Sequence, residues 1–195
     1  MISVKEMREL EEKCGISSKL LMENAGKGVC DIIRKRYDIE SKKVLVVCYH
    51  GNNGGDGFVA ARYLSKICQV DVLFLGNEEK LSNEARENFE RIKGKVRTAA
   101  DFNSYDFIID AMLGTGIRGK LNKPLSEAVD SINSSDAVKI AVDVPTGLDP
   151  DTGEVSDRMV EADLIVTFHD VKRGLKDFIE KVVVKDIGIS RRSSS

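Results

Sequence analysis

The 195-residue sequence has no excess of basic charge, no long apolar run, no closely paired cysteines and only two histidines. Each absence removes a class of protein. Thirty Lys and Arg against thirty-two Asp and Glu leave a formal charge of −2 at pH 7, whereas a general nucleic-acid binder carries a marked basic excess. A local basic pocket stays open. No stretch approaches the eighteen or so apolar residues of a membrane span, so no membrane partner is expected. Met1 to Glu12 is polar and charged, unlike a secretory leader. Cys14, Cys30, Cys48 and Cys68 contain no CxxC pair and are expected as free thiols in a reducing, cytoplasmic setting. His50 and His169 have no ligand partner nearby in sequence, and no zinc site is expected.

What is present is an alternation. Hydrophobic residues make up 42% and charged residues 32%, an ordinary globule. A chain of this length buries roughly 70% of its unfolded surface and needs no disulfide or structural metal. Val4, Met7, Leu10 and Cys14 mark an amphipathic helix, and Ser17 or Ser18 caps a second one. Val44 to Tyr49 is a continuous apolar run, as in a strand buried on both faces. Helical spacing from Gly55 to Cys68, a strand at Val70 to Leu75, and a Ser82-capped helix to Lys93 follow. A short strand begins at Val96, another spans Phe107 to Met112, and Leu125, Ala128, Val129 and Ile132 face one way on a helix. Val138 to Val144, Leu164 to Phe168 and Val182 to Ile187 complete the strands. Strands alternating with helices predict crossover units and an α/β chain with a mostly parallel sheet. A single domain over 1–190 is expected, with 191–195 as a disordered tail.

In such folds ligands bind beyond the carboxyl ends of the strands. Three segments stand there. Gly51 to Gly57 (GNNGGDG) opens a helix directly after the first strand. Its glycines suit either a tight turn or a backbone that a phosphate approaches closely, on the positive end of a helix. Asp56 repels a phosphate, so it reads as a helix cap or as an acceptor for a ligand hydroxyl. Gly114 to Lys120 (GTGIRGK) matches GxGxxG and the start of a P-loop. Neither match is complete: no acidic strand end follows at the right distance, and Leu121 stands where magnesium needs a hydroxyl. A nucleotide-dependent transferase is therefore disfavoured. What survives is glycine-rich backbone with Arg118 and Lys120, apt for an anion. Asp110 and Asp143 each stand where a strand exits, with Gly114 and Gly147 four residues on. Two such acids on one sheet edge suit proton transfer, cation ligation or ribose binding. In Phe168 to Gly174, His169 is a candidate acid or base, and Lys172 and Arg173 are candidate phosphate partners.

Taken together these segments resemble the NAD(P)H-hydrate epimerase family, the YjeF N-terminal domain. The matching residues are Leu21 to Gly26, GNNGGDG with Ala61 and Arg62, and Asp110-Ala111 with Gly114-Thr115-Gly116. Asp143-Val144-Pro145-Thr146-Gly147 and Thr167-Phe168 with Lys172 follow in the family's order. The resemblance implies a Rossmann-like three-layer αβα sandwich and an isomerase. The reaction would interconvert the R and S forms of NADH and NADPH hydrated at carbon 6 of the nicotinamide, a repair of damaged cofactor. It implies that Asn52, Asn53, Gly54, Gly55, Asp56, Gly114, Thr115, Gly116, Ile117, Arg118, Gly119, Lys120 and Asp143 bind the hydrated dinucleotide. It implies a potassium ion held by Asn53, Asp110 and Thr146, a homodimer, and functional coupling to a separate ATP- or ADP-dependent dehydratase. Inversion at carbon 6 passes through loss of the hydroxyl or ring opening, and Asp143 is the expected acid/base. The alternative is a non-catalytic nucleotide- or protein-binding module of the same fold. Three departures from the family pattern stand out: Tyr49, followed by His50 before Gly51, stands where the family usually has Gly after the strand-end Cys48; Leu113 replaces a Phe; and Thr146 replaces a Ser. The hydroxyl of Thr146 preserves oxygen ligation of a hard cation.

Overall fold

The computed structural model describes residues 1–116, 119–155 and 157–189. Ile117, Arg118 and the tail expected at 191–195 lie outside the described residues. The chain runs α1 (Val4–Lys13), α2 (Ser18–Arg36), β1 (Lys43–Cys48), α3 (Asn52–Leu64), β2 (Gln69–Phe74), α4 (Asn83–Ile92) and β3 (Val96–Arg97). It continues through β4 (Phe107–Ala111), α5 (Lys123–Ser134), β5 (Val138–Val142), β6 (Leu164–Phe168) and β7 (Val182–Lys185). The seven strands form one sheet in the order β3-β2-β1-β4-β5-β6-β7, and every neighbouring pair is parallel. This is the expected three-layer α/β architecture.

The apolar runs explain the layering. In β1, Val44, Val46 and Cys48 face a core shared with α2, α3 and α4. The intervening Leu45 and Val47 face a second core with Leu125, Ala128, Val129 and Ile132 of α5. A strand buried on both faces has no polar side to show. Helix starts are set by short polar side chains: Ser3, Ser17, Ser82 and Asn122 each accept a hydrogen bond from the first turn they precede. No helix among the described residues is long and apolar enough to cross a membrane. The four cysteines are free thiols, as expected.

Three local differences from the sequence-based expectation have physical reasons. Helix α3 begins at Asn52, three residues ahead of the expected start, because Gly51 accepts from Gly55 N at 3.1 Å and acts as N-cap. Strand β5 ends at Val142, since the chain turns sharply at Asp143. A nine-residue 3₁₀ segment, Arg173–Lys181, precedes β7 and was not anticipated. Its inward residues Leu175 and Phe178 recur every three positions, a period that matches neither an α-helix nor a strand.

The N-terminus is strapped across the sheet's carboxyl edge. Ile2 donates to Val171 O at 2.8 Å and accepts from Arg173 N at 3.2 Å, while Val4 N donates to Asp151 Oδ1 at 2.8 Å. These bonds fix the direction in which α1 leaves.

Candidate functional site

Strand order reverses between β1 and β4, and the segments that follow these strands diverge there. This is where open parallel sheets place ligands. A cavity of about 490 Å³ occupies the position, within the range of small-molecule sites. Of the residues expected to bind ligand, Asn52, Asn53, Asp56, Gly114, Thr115, Gly116 and Asp143 line it. Gly54, Gly55, Gly119 and Lys120 are not among its lining residues, and Gly119 and Lys120 are exposed. The expectations for Ile117 and Arg118 lie outside the described residues.

The glycine run has a packing reason that its sequence pattern does not reveal. A Cβ on Gly54 would stand 1.8 Å from the Tyr49 carbonyl oxygen. On Gly57 it would meet Ala111 Cβ at 2.5 Å and Cys48 Sγ at 2.7 Å. These glycines let α3 lie directly on β1 and β4. Gly51, by contrast, has nothing within 4 Å of a built Cβ, so a ligand has room to approach there. Asp56 does not cap the helix; it sits one turn inside, with its side chain lining the cavity.

Strands β5 and β6 end in the same unusual way. Asp143 and His169 have φ of 65° and 64°. Around them Val144 N donates to Val142 O at 2.9 Å, and Asp170 N donates to Phe168 O at 2.7 Å. Such three-residue turns with positive φ are rare and strained, and they turn a side chain sharply out of the strand direction. For Asp143 the result is an anchored carboxylate. Its Oδ1 lies 2.5 Å from Lys172 Nζ and accepts from Thr167 Oγ1 at 3.1 Å and Phe168 N at 3.4 Å. Lys172 is fully buried and also donates to Phe168 O at 2.8 Å. The second oxygen, Oδ2, takes no hydrogen bond within the described residues and is left for the cavity. Lys172 therefore holds Asp143 rather than reaching a phosphate, a correction to the sequence reading. Arg173 pairs with Glu6 at 2.9 Å on the surface. His169, although 7% exposed, is not among the lining residues.

Asp110 is 1% exposed at the end of β4. It accepts from Thr146 N and Thr146 Oγ1, both at 2.7 Å, and from Met112 N at 3.1 Å. These bonds tie the exits of β4 and β5 together. Burial lifts its carboxyl to about 6, with the three hydrogen bonds pulling the other way. The sign follows from proton binding: a folded-state value above the unfolded one gives stability that is full below about pH 4 and is lost as pH rises through about 6. In urea unfolding without potassium, wild type should lose about 2–3 kcal/mol more between pH 4 and 7 than Asp110→Asn. Parallel pH profiles for the two proteins would show the contrary.

Two lining residues escaped the sequence reading. Arg8 and Glu11, on α1, reach the cavity because the N-terminal strap carries that helix over it. Nothing in the helix's own periodicity signals this, since both residues read as solvated. Tyr49 and His50, flagged as departures, do form a cavity wall: their rings stack at 3.9 Å between centroids, and Asn122 Nδ2 donates to Tyr49 Oη at 3.2 Å. Burial, aided by Lys80, holds the His50 imidazole below its ordinary value.

Comparison with known proteins places this geometry. The bifunctional NAD(P)H-hydrate repair enzyme Nnr of Archaeoglobus fulgidus is 47% identical over 196 residues, covering 96% of this chain and 41% of that protein. The chain thus spans about two fifths of the length of that bifunctional relative. The NAD(P)H-hydrate epimerase of Nitrosopumilus maritimus is 38% identical over 204 residues, covering 96% of this chain and 95% of that one. The crystal structure of the yeast protein YNL200c superposes with a TM-score of 0.80 at 22% identity, covering 94% of this chain and 86% of that chain, which shows the shared fold. The family model described as YjeF-related protein N-terminus matches residues 18–174, and the chain belongs to that family.

Proposed function

We propose that the protein is an NAD(P)H-hydrate epimerase, an isomerase that interconverts the R and S hydrates of NADH and NADPH. The observation that carries this reading is Asp143: one carboxylate oxygen is locked by Lys172, Thr167 and Phe168 N, and the other is free in a cavity at the sheet's switch point. A base held in one orientation is what inversion at a hydroxyl-bearing carbon requires. The epimerase relative, aligned over nearly its whole length, supports the same reading.

In this reading the α3 start and the Gly114 to Gly116 turn receive the diphosphate, with backbone N–H groups and the helix dipole favouring its charge. Asn52 and Thr115 supply further polar contacts. A potassium ion fits the donor set. Asn53 is 8% exposed, yet neither its amide oxygen nor its nitrogen has a partner among the described residues. It packs against Gly114, beside the turn whose Leu113 O and N contact Thr146 Oγ1. Asn53, Asp110 and Thr146 would hold the ion through hard oxygen ligands. When bound it would supply positive charge near the diphosphate and fix the two strand-exit loops. Coupling to an ATP- or ADP-dependent dehydratase, a homodimeric state and a cytoplasmic location belong to the same proposal.

The test follows the R hydrate of NADH by chromatography, with purified protein in potassium buffer without ATP. Rapid approach to the R/S equilibrium is expected, with weaker binding in sodium-only buffer. Ligand binding without acceleration over buffer would instead identify a non-catalytic binding module.

A further inference from the structure

Two carboxyl groups that line the cavity stand unengaged among the described residues. Asp56, on α3, and Glu11, on α1, make no side-chain hydrogen bond or ion pair among the described residues. Both line the cavity that contains Asp143, and both line an adjoining cavity of about 280 Å³ with apolar walls that include Leu21, Met22 and Ile187. They therefore stand at the junction between a polar chamber and an apolar one. A nicotinamide ring with a polar hydroxyl edge suits that junction. Independently, Asn53 lines the polar chamber and carries a nine-tenths-buried side chain whose amide has no partner among the described residues, as expected where a polar ligand completes a site.

We propose that Asp56 is the catalytic acid that works opposite Asp143, and that Glu11 is a positioning residue that keeps the proton on it. This rests on the epimerase reading above. Asp143 Oδ2 takes the proton of the C6 hydroxyl. The C6–N1 bond breaks as the C6 carbonyl forms, and its electron pair passes to N1, conjugated with the neighbouring C2=C3 bond and the carboxamide. Asp56 places its proton on N1. Rotation about C5–C6 turns the other face of the aldehyde toward N1. Closure reverses each transfer: N1 attacks the carbonyl carbon and returns its proton to Asp56, and the C6 oxygen takes its proton back from Asp143. Nothing is oxidised or reduced, and both carboxyls recover their starting state.

The surroundings of Asp56 suit this role. Loss of hydration pushes its carboxyl well above the ordinary range, and the charges of Asp143 and Glu11 push the same way against Lys172. Glu11 stands at the mouth with one side to solvent; its own carboxyl is raised by partial burial and Asp143, with Lys172 and Arg8 opposing. Among the described residues, the other ionisable groups lining these cavities are Glu12 on α1, Tyr49 and His50 after β1, and Glu84 on α4, while the buried Cys48 thiol of β1 feels the charge of Asp56. A carboxyl that keeps its proton, set across a cavity from a carboxylate held by a lysine, can serve as an acid/base pair.

The experiment measures kcat and KM for wild type, Asp56→Asn and Glu11→Gln across pH in potassium buffer. Asp56→Asn should lose about 10²–10³-fold in kcat with KM within a few-fold. In Glu11→Gln the basic limb of the kcat profile should move to lower pH by about half a unit, and further at low salt, because a negative charge that retains the proton is gone. A merely structural role for Glu11 would not move that limb. Wild-type kcat in Asp56→Asn, or an unmoved limb in Glu11→Gln, would overturn the proposal; if Asp56→Asn does not fold, the limb decides. Infrared spectroscopy at neutral pH adds a readout independent of turnover: a protonated-carboxyl band in wild type that Asp56→Asn removes. An inactive wild type that keeps this band would refute the epimerase reading while leaving the protonated Asp56 intact.

Discussion

Asp143→Asn should lower epimerisation about 10²–10⁴-fold, the usual contribution of one positioned proton-transfer group. It should also weaken the fold, for a separate reason. Lys172 is fully buried, and its ammonium faces Asp143 at 2.5 Å. Neutralising one member of a buried ion pair leaves the other charge uncompensated, at a cost of about 3–5 kcal/mol. The hydrogen bonds from Lys172 to Thr167 Oγ1 and Phe168 O, at 3.1 and 2.8 Å, reduce that cost without replacing the counter-charge. The two effects separate in the double variant Asp143→Asn with Lys172→Met. Removing both charges should recover most of the melting temperature, since apolar replacement of a buried pair is often neutral or better. Activity should stay low. Unfolding curves and epimerisation rates of the single and double variants decide the matter. Near-normal turnover in Asp143→Asn with substrate still bound would take the base assignment away from this residue.

The second large effect is expected at Gly54. An alanine methyl there would sit 1.8 Å from the Tyr49 carbonyl oxygen, far inside contact distance. The obstacle is backbone, so no side-chain rotation relieves it; α3 must lift away from the exit of β1. Overpacking of this kind costs about 3 kcal/mol or more. For a chain of this size that corresponds to a drop of roughly 6–12 °C in melting temperature, or failure to accumulate as folded protein. The same lift would displace Asn53 and Asp56, so residual folded protein should also bind ligand poorly. Gly51→Ala is the control. Its φ of −86° is ordinary and the space around it is open, so stability should change by less than about 0.5 kcal/mol. Weaker binding of the hydrated dinucleotide by a stable Gly51→Ala would locate the ligand's closest backbone approach at that residue. Equal melting temperatures for the two variants would refute the packing account.

The order of elements was legible because each is announced by a local rule. Apolar runs such as Val44 to Tyr49 mark strands covered on both faces, and Ser17 and Ser82 mark helix starts. Parallel pairing followed from helices between strands, and the site's position from where those strands end. The 3₁₀ segment Arg173–Lys181 was not legible, because its spacing of three falls between the two periodicities that sequence patterns display. The glycine run was read toward a ligand, whereas Gly54 and Gly57 face the protein's own backbone and side chains. Both readings need the same residue, and only the position of α3 against β1 and β4 separates them.

By itself, then, the sequence determined the fold class, the family and the strand-end acids Asp110 and Asp143, since these depend on neighbours a few residues away. Tertiary structure decided what each acid faces. Asp110 is bound up with Thr146 from the next strand's exit, and Asp143 with Lys172 from the one after. Lys172 changed from a phosphate partner to a buried counter-ion, while Glu11 and Arg8 came to the cavity from a helix with no visible motif. The physical reason is range. Periodicity and capping act within a turn or a strand, whereas desolvation and ion pairing depend on which distant segments the folded sheet edge brings together.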